Sequence, residues 1–352
     1  MQIETEPIGS IPRPASYVQA MQDLAAGSID AKQFAALGQQ AVQQTIAEFE
    51  ATGSPVISDG EQTKPSFATY PVAGLANLAP DGVTIPFSDG HTRQLPRLTS
   101  GPFRYSVYAA SYAKAAQAFA TKPLKQAVIS ASALALLYPA QAIPGYPREQ
   151  FLQDLVRETA SDIRQCLDAG CVKVQMDFTE ARLSLKLDPS GTLLQQFIDL
   201  NNLVFRQFSA EEKGRLGVHT CPGGDRDATH SADVDYAGLL PALFQLEAGN
   251  FYLQLASEPD RKRVLGIIRD HSFPDQKIFI GVTDPIHPRI ETEEEVCEQI
   301  LEAAQYIPAE RLGTTDDCGF APFSDDLSTS RNLAFAKIRA RVAGTRLAAG
   351  VL

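Results

Sequence analysis

The sequence predicts a (β/α)8 TIM barrel of the α/β class. Apolar or β-branched runs of strand length alternate along the chain with longer segments of helical period, which is typical of βα units around a parallel sheet. Eight such runs are found, and each ends in a cluster of polar or small residues. In a barrel the carboxyl ends of the strands carry the active site. A doubly wound open sheet would not need such residues at every strand end.

The predicted elements follow one another without a linker or an internal repeat, so we expect one domain over residues 1–352. The predicted strands span residues 7–11, 55–58, 126–130, 172–176, 216–218, 251–255, 278–282 and 312–315. The clearest helices are predicted at residues 31–52, 148–167, 258–269, 293–306 and 328–342. Residues 68–110, rich in Pro, Gly, Thr and aromatics, are predicted to form an inserted loop or hairpin over the barrel mouth.

Composition excludes several classes of function. A hydrophobic content of 44% is ample for a large core, and a net charge of −11 disfavours nucleic acids and anionic membrane surfaces. The amino terminus has neither the basic region nor the apolar run of a signal peptide. Five cysteines at irregular spacing suit reduced thiols or metal ligands better than disulfides. We therefore expect a cytoplasmic protein that acts on small molecules.

Two strand ends predict a metal site. His219 and Cys221 lie two residues apart at the end of a strand, so their side chains point to the same side. Imidazole and thiolate together favour zinc. Cys318 ends another strand and supplies a third ligand. The alternative is that both cysteines are core residues, since free cysteine is often buried.

A fourth ligand is predicted at Glu258, just past the sixth strand. Gln254 and Glu247 are competing candidates nearby. Glu258 also suits the first turn of a helix, where a carboxylate answers the helix dipole. The sequence alone leaves these possibilities open.

Acidic residues at other strand ends suit substrate binding. Glu61 and Asp177 are predicted at the mouth, where carboxylates recognise an amine or transfer a proton; solvated or capping acids are the alternative. Ser10, with Gly9, is predicted to offer backbone N–H groups to an anion such as a substrate carboxylate, although Gly-Ser before Pro12 also suits a simple turn. His287 is a candidate general acid, or an incidental loop histidine.

These residues resemble the cobalamin-independent methionine synthases, specifically their C-terminal catalytic barrel. The similarity covers nearly the whole chain through the segments Ile8-Gly9-Ser10, Asp59-Gly60-Glu61, Gln175-Met176-Asp177, His219-Thr220-Cys221, Ile307-Pro308-Ala309-Glu310-Arg311-Leu312 and Asp317-Cys318-Gly319. The resemblance implies that His219, Cys221 and Cys318 bind zinc. It also implies that Glu61, Asp177 and the Ser10 backbone hold the amino acid part of homocysteine, with a methyl-folate as donor.

The chain departs from that family at four points. It resembles a single-barrel relative, since full-length members have a second, N-terminal half. The family's zinc glutamate lies in an Ile-Glu-Thr strand end, where this chain has Leu253-Gln254-Leu255-Ala256. The family's Asp-Ile-His is matched with a shift, as Asp284-Pro285-Ile286-His287. The chain has no tryptophan to stack on folate, and Tyr138 is nearest by position.

The leading hypothesis is a zinc-dependent methyltransferase that converts homocysteine to methionine. Its physical basis is thiol activation, because a free thiol is mostly protonated at neutral pH and only the thiolate is a good nucleophile. Three alternatives remain. The first is alkyl transfer to another thiol, as in zinc enzymes that open epoxides with a sulfonated thiol; in this chain Lys64 or Arg13 would hold the sulfonate. The second is a metal-free lyase on the related uroporphyrinogen decarboxylase-like barrel. The third is a thiol or metal sensor that performs no transfer.

Overall fold

Seven parallel strands form a curled sheet in the computed structural model, which describes residues 2–352. The strands are β1 (Glu4–Thr5), β2 (Lys125–Ile129), β3 (Lys173–Asp177), β4 (Leu216–Thr220), β5 (Asn250–Leu253), β6 (Lys277–Gly281) and β7 (Leu312–Thr315). They pair in the order β1-β7-β6-β5-β4-β3-β2. Strands β2 to β7 thus lie side by side in chain order, as in a (β/α)8 barrel, and the predicted fold class is confirmed.

The predicted second strand is reduced to a single parallel bridge between Ile57 and Leu124. The Ile57 N–H donates to the Pro123 carbonyl at 3.0 Å, and the Lys125 N–H donates to the Ile57 carbonyl at 2.8 Å. On the other side, the Ile11 N–H donates to the Gly60 carbonyl at 3.0 Å. The gap between β1 and β2 is therefore closed by isolated hydrogen bonds. A longer ladder is disfavoured because proline at position 55 has no N–H to donate.

The first strand begins earlier than predicted. Residues Glu4 and Thr5 pair with Gly313 and Thr314 of β7, whereas the sequence predicted a strand over 7–11. Pro7 lacks a backbone N–H, so the ladder ends before it. Residues 8–10 consequently lie in the loop beyond the strand, which places them at the barrel mouth.

Helices surround the sheet, and most of the predicted ones are present. They are α1 (Ala15–Ala25), α2 (Ala31–Ala51), α3 (Ala109–Gln117), α4 (Ala131–Ala135), α5 (Arg148–Asp168), α6 (Glu180–Leu187), α7 (Thr192–Phe205), α8 (Ala210–Lys213), α9 (Leu240–Leu243), α10 (Arg261–His271), α11 (Glu293–Ala303) and α12 (Arg331–Val351). Helix α10 starts three residues later than predicted, because the Asp260 side chain caps it by accepting from the Arg263 N–H. In residues 2–352 no helix has the length and apolarity needed to cross a bilayer.

The inserted segment after the bridge contains two antiparallel strand pairs. Leu78–Ala79 pairs with Arg97–Leu98, and Thr84–Pro86 pairs with Thr92–Gln94. The second pair, here called the mouth hairpin (residues 84–94), lines the main cavity of the barrel through Ile85, Arg93 and Gln94. The predicted hairpin over the mouth is therefore present.

The interior of the barrel is polar at its amino end and the layer between sheet and helices is apolar. Inside, the Lys125 ammonium donates to Gln175 Oε1 at 2.8 Å and Tyr252 Oη donates to Glu6 Oε2 at 2.6 Å. Burial lowers the pKa of Lys125 to about 7. Outside, one continuous apolar cluster joins strands and helices. This rigid base holds the strand ends that carry the site.

Candidate functional site

Three side chains predicted as metal ligands lie together at the carboxyl end of the sheet. His219 is the second-last residue of β4 and Cys221 directly follows that strand. Cys318 follows β7. Their ligand atoms all lie within 4.8 Å of one another. The sheet curls so that β4 and β7, which are separated by two strands, face each other across the mouth.

The conformation of the loop after Cys221 requires glycine at position 223, because any other residue there would be strained. Gly223 has a φ of +69°, and a Cβ there would stand 1.8 Å from His230 Nε2. The Gly223 N–H also donates to the Cys221 sulfur at 3.4 Å. The backbone therefore wraps closely around the thiol, as the Pro-Gly-Gly sequence suggests.

The imidazole of His219 has one ring nitrogen engaged and one free. Its Nδ1 lies 3.2 Å from the carbonyl oxygen of Tyr252, so Nδ1 carries the proton and Nε2 carries a lone pair. The Nε2 atom is buried and has no hydrogen-bond partner among the described residues. A buried nitrogen lone pair without a partner fits a metal ligand, and a backbone carbonyl behind the ring is the usual means of orienting such a ligand.

The two thiols form a coupled pair. The Cys221 thiol donates to the Cys318 sulfur, with 3.1 Å between the sulfurs. This hydrogen bond holds the pKa of Cys318 well below its usual value and raises the pKa of Cys221, whose burial raises it further. A thiolate at Cys318 beside the imidazole of His219 is a donor set that suits a soft or borderline divalent metal. The residues present therefore fit a metal ion.

Glu258, predicted as the fourth ligand, lies in a different environment. Its Oε1 accepts from the Arg182 guanidinium at 2.9 Å, and the same guanidinium nitrogen donates to Gln254 Oε1 at 3.1 Å. Glu258 is absent from the metal-ligand cluster found among residues 2–352. Its carboxylate pairs with the buried Arg182 on α6, so the structure brings together three of the four predicted ligands, and Glu258 as the fourth stays a prediction.

His287, predicted as a general acid, also lies away from the cluster. The side chain is exposed, and its Nδ1 accepts from the Arg289 N–H at 3.1 Å. The Asp284 carboxylate accepts from the Ile286 N–H at 2.9 Å and turns the loop so that His287 faces outward. His287 is not among the residues that line the cavity.

The predicted substrate-binding carboxylates do face the same cavity as the cluster. Asp177, the last residue of β3, accepts from Gln175 Nε2 at 2.7 Å. Burial raises the pKa of Asp177 to about 6. Glu61 accepts from the Lys64 ammonium at 3.0 Å and has a φ of 54°, an uncommon backbone for a glutamate. Strain of this kind is concentrated at functional sites.

Ser10 lines the cavity and fastens the loop that carries Cys318. Its Oγ accepts from the Ala321 N–H at 3.2 Å, and its carbonyl accepts from the Phe320 N–H at 3.0 Å. A Cβ at Gly319 would stand 2.1 Å from Ser10 Oγ, so this close approach requires glycine. The first strand end and the last are thereby tied together beside the thiols.

The cavity holds about 390 Å³ and has two kinds of wall. One end is polar, with Ser10, Glu61, Asp177, His219 and Cys318. The rest is mostly apolar and is formed by Phe67, Ile85, Phe87, Leu95, Leu134, Leu136, Leu183 and Phe323. A site of this shape suits a small polar substrate beside the metal ligands and a larger, flatter one against the apolar wall.

The mouth hairpin is fastened to both loops that carry the thiols. Arg93 Nη2 donates to Asp225 Oδ1 at 3.0 Å and to Asp325 Oδ1 at 2.9 Å. His91 Nε2 lies 2.9 Å from Asp225 Oδ2. Asp225 follows Cys221 on one loop and Asp325 follows Cys318 on the other, so these ion pairs hold the hairpin over the cavity.

Sequence reasoning missed two cavity residues, Glu180 and Arg93. Glu180, three residues after Asp177, lies in the wall, and a second acid so close to a strand end was a usable signal. His230 also lines the cavity, and burial lowers its pKa to about 4, so it is neutral. Arg93 had no sequence signal, because its role depends on how the inserted segment folds.

Comparison with known proteins places these features in one family. A family model described as "Cobalamin-independent synthase, Catalytic domain" matches residues 3–335. Among curated proteins, a 5-methyltetrahydropteroyltriglutamate–homocysteine methyltransferase from Nitratidesulfovibrio vulgaris is 22% identical over 320 residues, which are 90% of this chain and 38% of the relative. One from Sodalis glossinidius is 24% identical over 317 residues, 90% of this chain and 40% of the relative. The chain thus spans about two fifths of these relatives.

Solved structures of similar length share the fold. A B12-independent methionine synthase from Shewanella sp. W3-18-1, in complex with selenomethionine, has a TM-score of 0.78 at 18% identity and covers 100% of this chain and 99% of its own. A vitamin-B12-independent methionine synthase described as putative, from Listeria monocytogenes, has a TM-score of 0.73 at 22% identity with the same coverage. The whole chain therefore shares its fold with these two chains.

Proposed function

Because the chain belongs to the family of cobalamin-independent synthase catalytic domains, we propose that it is a zinc-dependent methyltransferase that converts homocysteine to methionine. The observation that carries this proposal is the cluster of His219, Cys221 and Cys318 beside two buried carboxylates in one cavity. The methyltransferase names of the relatives and the selenomethionine in the Shewanella structure agree with such a reaction.

Zinc is the proposed metal because one imidazole nitrogen and two cysteine sulfurs are its usual ligands. His219, Cys221 and Cys318 would hold the ion and would leave a coordination position for the substrate sulfur. Zinc held there would lower the pKa of the substrate thiol and so supply a thiolate at neutral pH. The protein would supply the Nε2 atom of His219, the Cys318 thiolate and a cavity whose wall is largely apolar.

The acidic end of the cavity suits an amino acid thiol. Asp177 and Glu61 are placed to accept from the substrate ammonium, and the loop at Ser10 is proposed to receive the substrate carboxylate. In methyl transfer the new sulfur–carbon bond forms as the donor nitrogen–carbon bond breaks, and the donor nitrogen takes up a proton. Burial raises the pKa of Asp177 to about 6, so at neutral pH its carboxylate is mostly ionised and is able to accept from the substrate ammonium.

The contacts of the nearby cations disfavour a sulfonated thiol. The Arg13 guanidinium donates to the carbonyl groups of Ala321 (2.5 Å), Phe323 (3.0 Å), Glu61 (2.8 Å) and Lys64 (3.0 Å). The Lys64 ammonium donates to Glu61 and to the Ala127 carbonyl at 2.9 Å. Both predicted anion-binding side chains are thus occupied, so we place epoxide-type alkyl transfer behind methylation of homocysteine. The metal-ligand geometry also counts against a metal-free lyase.

A methyl-folate is the proposed donor. The apolar wall of the cavity offers the flat contact surface that a pterin needs, although the described wall contains no tryptophan. Phe67, Phe87 and Phe323 are the phenylalanine rings of that wall.

The test is methyl transfer from 5-methyltetrahydropteroyltriglutamate to homocysteine by the zinc-loaded protein, with 4-mercaptobutanoate as the matched acceptor that lacks the amino group. Formation of methionine, with homocysteine strongly preferred, supports the proposal. Equal use of both thiols would contradict the role of the carboxylates. Binding of zinc and homocysteine without transfer from any methyl donor would favour the sensor alternative.

A further inference from the structure

The loop that follows Cys221 places a backbone N–H group beside each of the two thiols. The Gly223 N–H donates to Cys221 Sγ at 3.4 Å. A Cβ at Gly224 would stand only 3.8 Å from Cys318 Sγ. Cys221 first, and the Gly224 N–H to a smaller extent, lower the pKa of the Cys318 thiol. Because hydrogen bonds to a ligand sulfur tune the metal that it binds, the position of residues 223–224 bears on both sulfurs at once.

The turn that continues this loop has a strained backbone. Residues 224–225 pair with residues 228–229 as a short antiparallel ladder. Between them, Arg226 has a φ of 49° and Asp227 has a φ of 59°. Residues other than glycine adopt such angles uncommonly, and they keep them only where the surrounding structure holds them. The turn therefore needs an anchor from outside the loop.

The mouth hairpin supplies that anchor through Asp225. Arg93 Nε donates to Asp225 Oδ2 at 2.5 Å, and Arg93 Nη2 donates to Oδ1 at 3.0 Å. His91 Nε2 lies 2.9 Å from Oδ2. Within residues 2–352, all side-chain partners of the Asp225 carboxylate belong to the hairpin. The side chain of Asp225 is 0% exposed, so water does not replace these charge-assisted hydrogen bonds when they break.

The same ion pairs reach the loop that carries Cys318, but more weakly. Arg93 Nη2 donates to Asp325 Oδ1 at 2.9 Å, and Arg226 Nη2 donates to Asp325 Oδ2 at 2.8 Å. The side chain of Asp325 is 52% exposed, and ion pairs in contact with water contribute little. The buried carboxylate of Asp225 is therefore the main link between the hairpin and the thiols.

We propose that Asp225 is a positioning residue that couples closure of the mouth hairpin to metal binding at the two thiols. With the hairpin fastened, Asp225 keeps the N–H groups of residues 223–224 on the sulfurs, and release of the hairpin frees them. By linkage, the metal stabilises the closed hairpin by the same factor by which the closed hairpin raises the metal affinity. The inference rests on the proposed function, since it concerns the proposed metal site.

The test compares zinc affinity in the wild type and in Asp225→Asn, by competition with a chelator of known affinity. Asparagine keeps the shape of the side chain and removes the charge that holds Arg93. The Kd for zinc is expected to rise about 5- to 30-fold, within the usual range for coupled sites. The matched control is Asp233→Asn, since Asp233 follows the same loop but pairs with Lys186 at 2.9 Å. Its zinc Kd is expected to stay within about twofold of the wild type.

Two further readouts distinguish positioning from a general loss of stability. In protein saturated with cobalt as a probe, the sulfur-to-cobalt charge-transfer band of Asp225→Asn is expected at longer wavelength than in the wild type, because sulfurs that lose N–H donors are richer in electrons. Zinc is expected to slow backbone hydrogen exchange of residues 84–94 about 5- to 30-fold in the wild type, and to leave it unchanged in Asp225→Asn.

The outcomes separate this inference from the proposed function. An unchanged zinc Kd or cobalt band in Asp225→Asn, an equal loss of zinc affinity in Asp233→Asn, or hairpin exchange that does not respond to zinc in the wild type overturns the inference. Should Asp225→Asn not fold, Arg93→Gln breaks the same pair from the hairpin side, and unchanged zinc affinity there overturns the inference equally. If zinc and the hairpin are coupled but no methyl transfer occurs, the inference stands and the proposed reaction fails. Methyl transfer by a protein without this coupling gives the reverse result.

Discussion

Replacing Asp177 by asparagine isolates the proposed recognition of the substrate amine. Asparagine has the shape of aspartate, and its oxygen still accepts from Gln175 Nε2. The second oxygen, however, becomes an NH2 group that faces the substrate ammonium. The variant therefore removes one charge-assisted hydrogen bond and leaves the packing of β3 intact.

The magnitude follows from the position of Asp177. The side chain is 6% exposed, so water does not replace the lost contact. A hydrogen bond to a charged group contributes about 1.5–3 kcal/mol. Since about 1.4 kcal/mol corresponds to a tenfold change, we expect kcat/KM for homocysteine to fall about 10- to 150-fold.

The assay measures kcat/KM for homocysteine and for 4-mercaptobutanoate in the wild type and in Asp177→Asn. The acceptor without an amino group makes no contact with the carboxylate, so its rate is expected to change by less than about threefold. Preference for homocysteine should therefore collapse in the variant. An equal loss for both acceptors would refute the reasoning, because Asp177 would then act on the metal cluster or on the fold instead of on the amine.

Three further predictions concern Glu258, Asp162 and Arg93. Glu258→Gln is expected to keep its bound metal, measured by atomic absorption, because Glu258 pairs with Arg182; loss of the metal would restore Glu258 as a ligand. Burial raises the pKa of Asp162 from 3.8 to about 6, so the folded state binds a proton more tightly and the free energy of unfolding falls as pH rises from about 4 to 6. In Asp162→Asn the free energy of unfolding, measured by urea titration, should no longer depend on pH in this range and should be higher than in the wild type by up to about 3 kcal/mol at pH 7. A pH profile like that of the wild type would contradict this. Arg93→Ala should speed backbone hydrogen exchange in the mouth hairpin roughly fivefold, because the ion pairs that fasten the hairpin are lost and its local stability falls by about 1 kcal/mol. Unchanged exchange would show that the ion pair with Asp225 does not hold the hairpin over the cavity.

The sequence was sufficient for the parts of the fold that depend on regular patterns. Alternation of apolar strands and amphipathic helices predicted the barrel, and β7 begins and ends where predicted. The two strands nearest the amino terminus were wrong in position or extent. Their ladders are limited by Pro7 and Pro55, and proline effects on single hydrogen bonds are not visible in an apolar periodicity.

The site was predictable where ligands lie on regular strands. The spacing of His219, on β4, and Cys221, directly after it, predicted that both side chains point to the same side, and Cys318 was predicted from its place at the end of β7. Glu258 and His287 lie in loops after strands, where a shift of one or two residues redirects the side chain. Only the structure shows that Arg182 takes the first and that a proline-containing loop turns the second outward.

Metal content tests the central claim most directly. Purified wild type, Cys221→Ser and Cys318→Ser would be loaded with zinc, dialysed and measured for zinc per chain, with Glu258→Gln as the matched control. Thiol activation predicts about one zinc per chain in the wild type and in the control, and its loss in both cysteine variants. A wild type that holds no zinc after loading, or cysteine variants that keep it, would contradict the account.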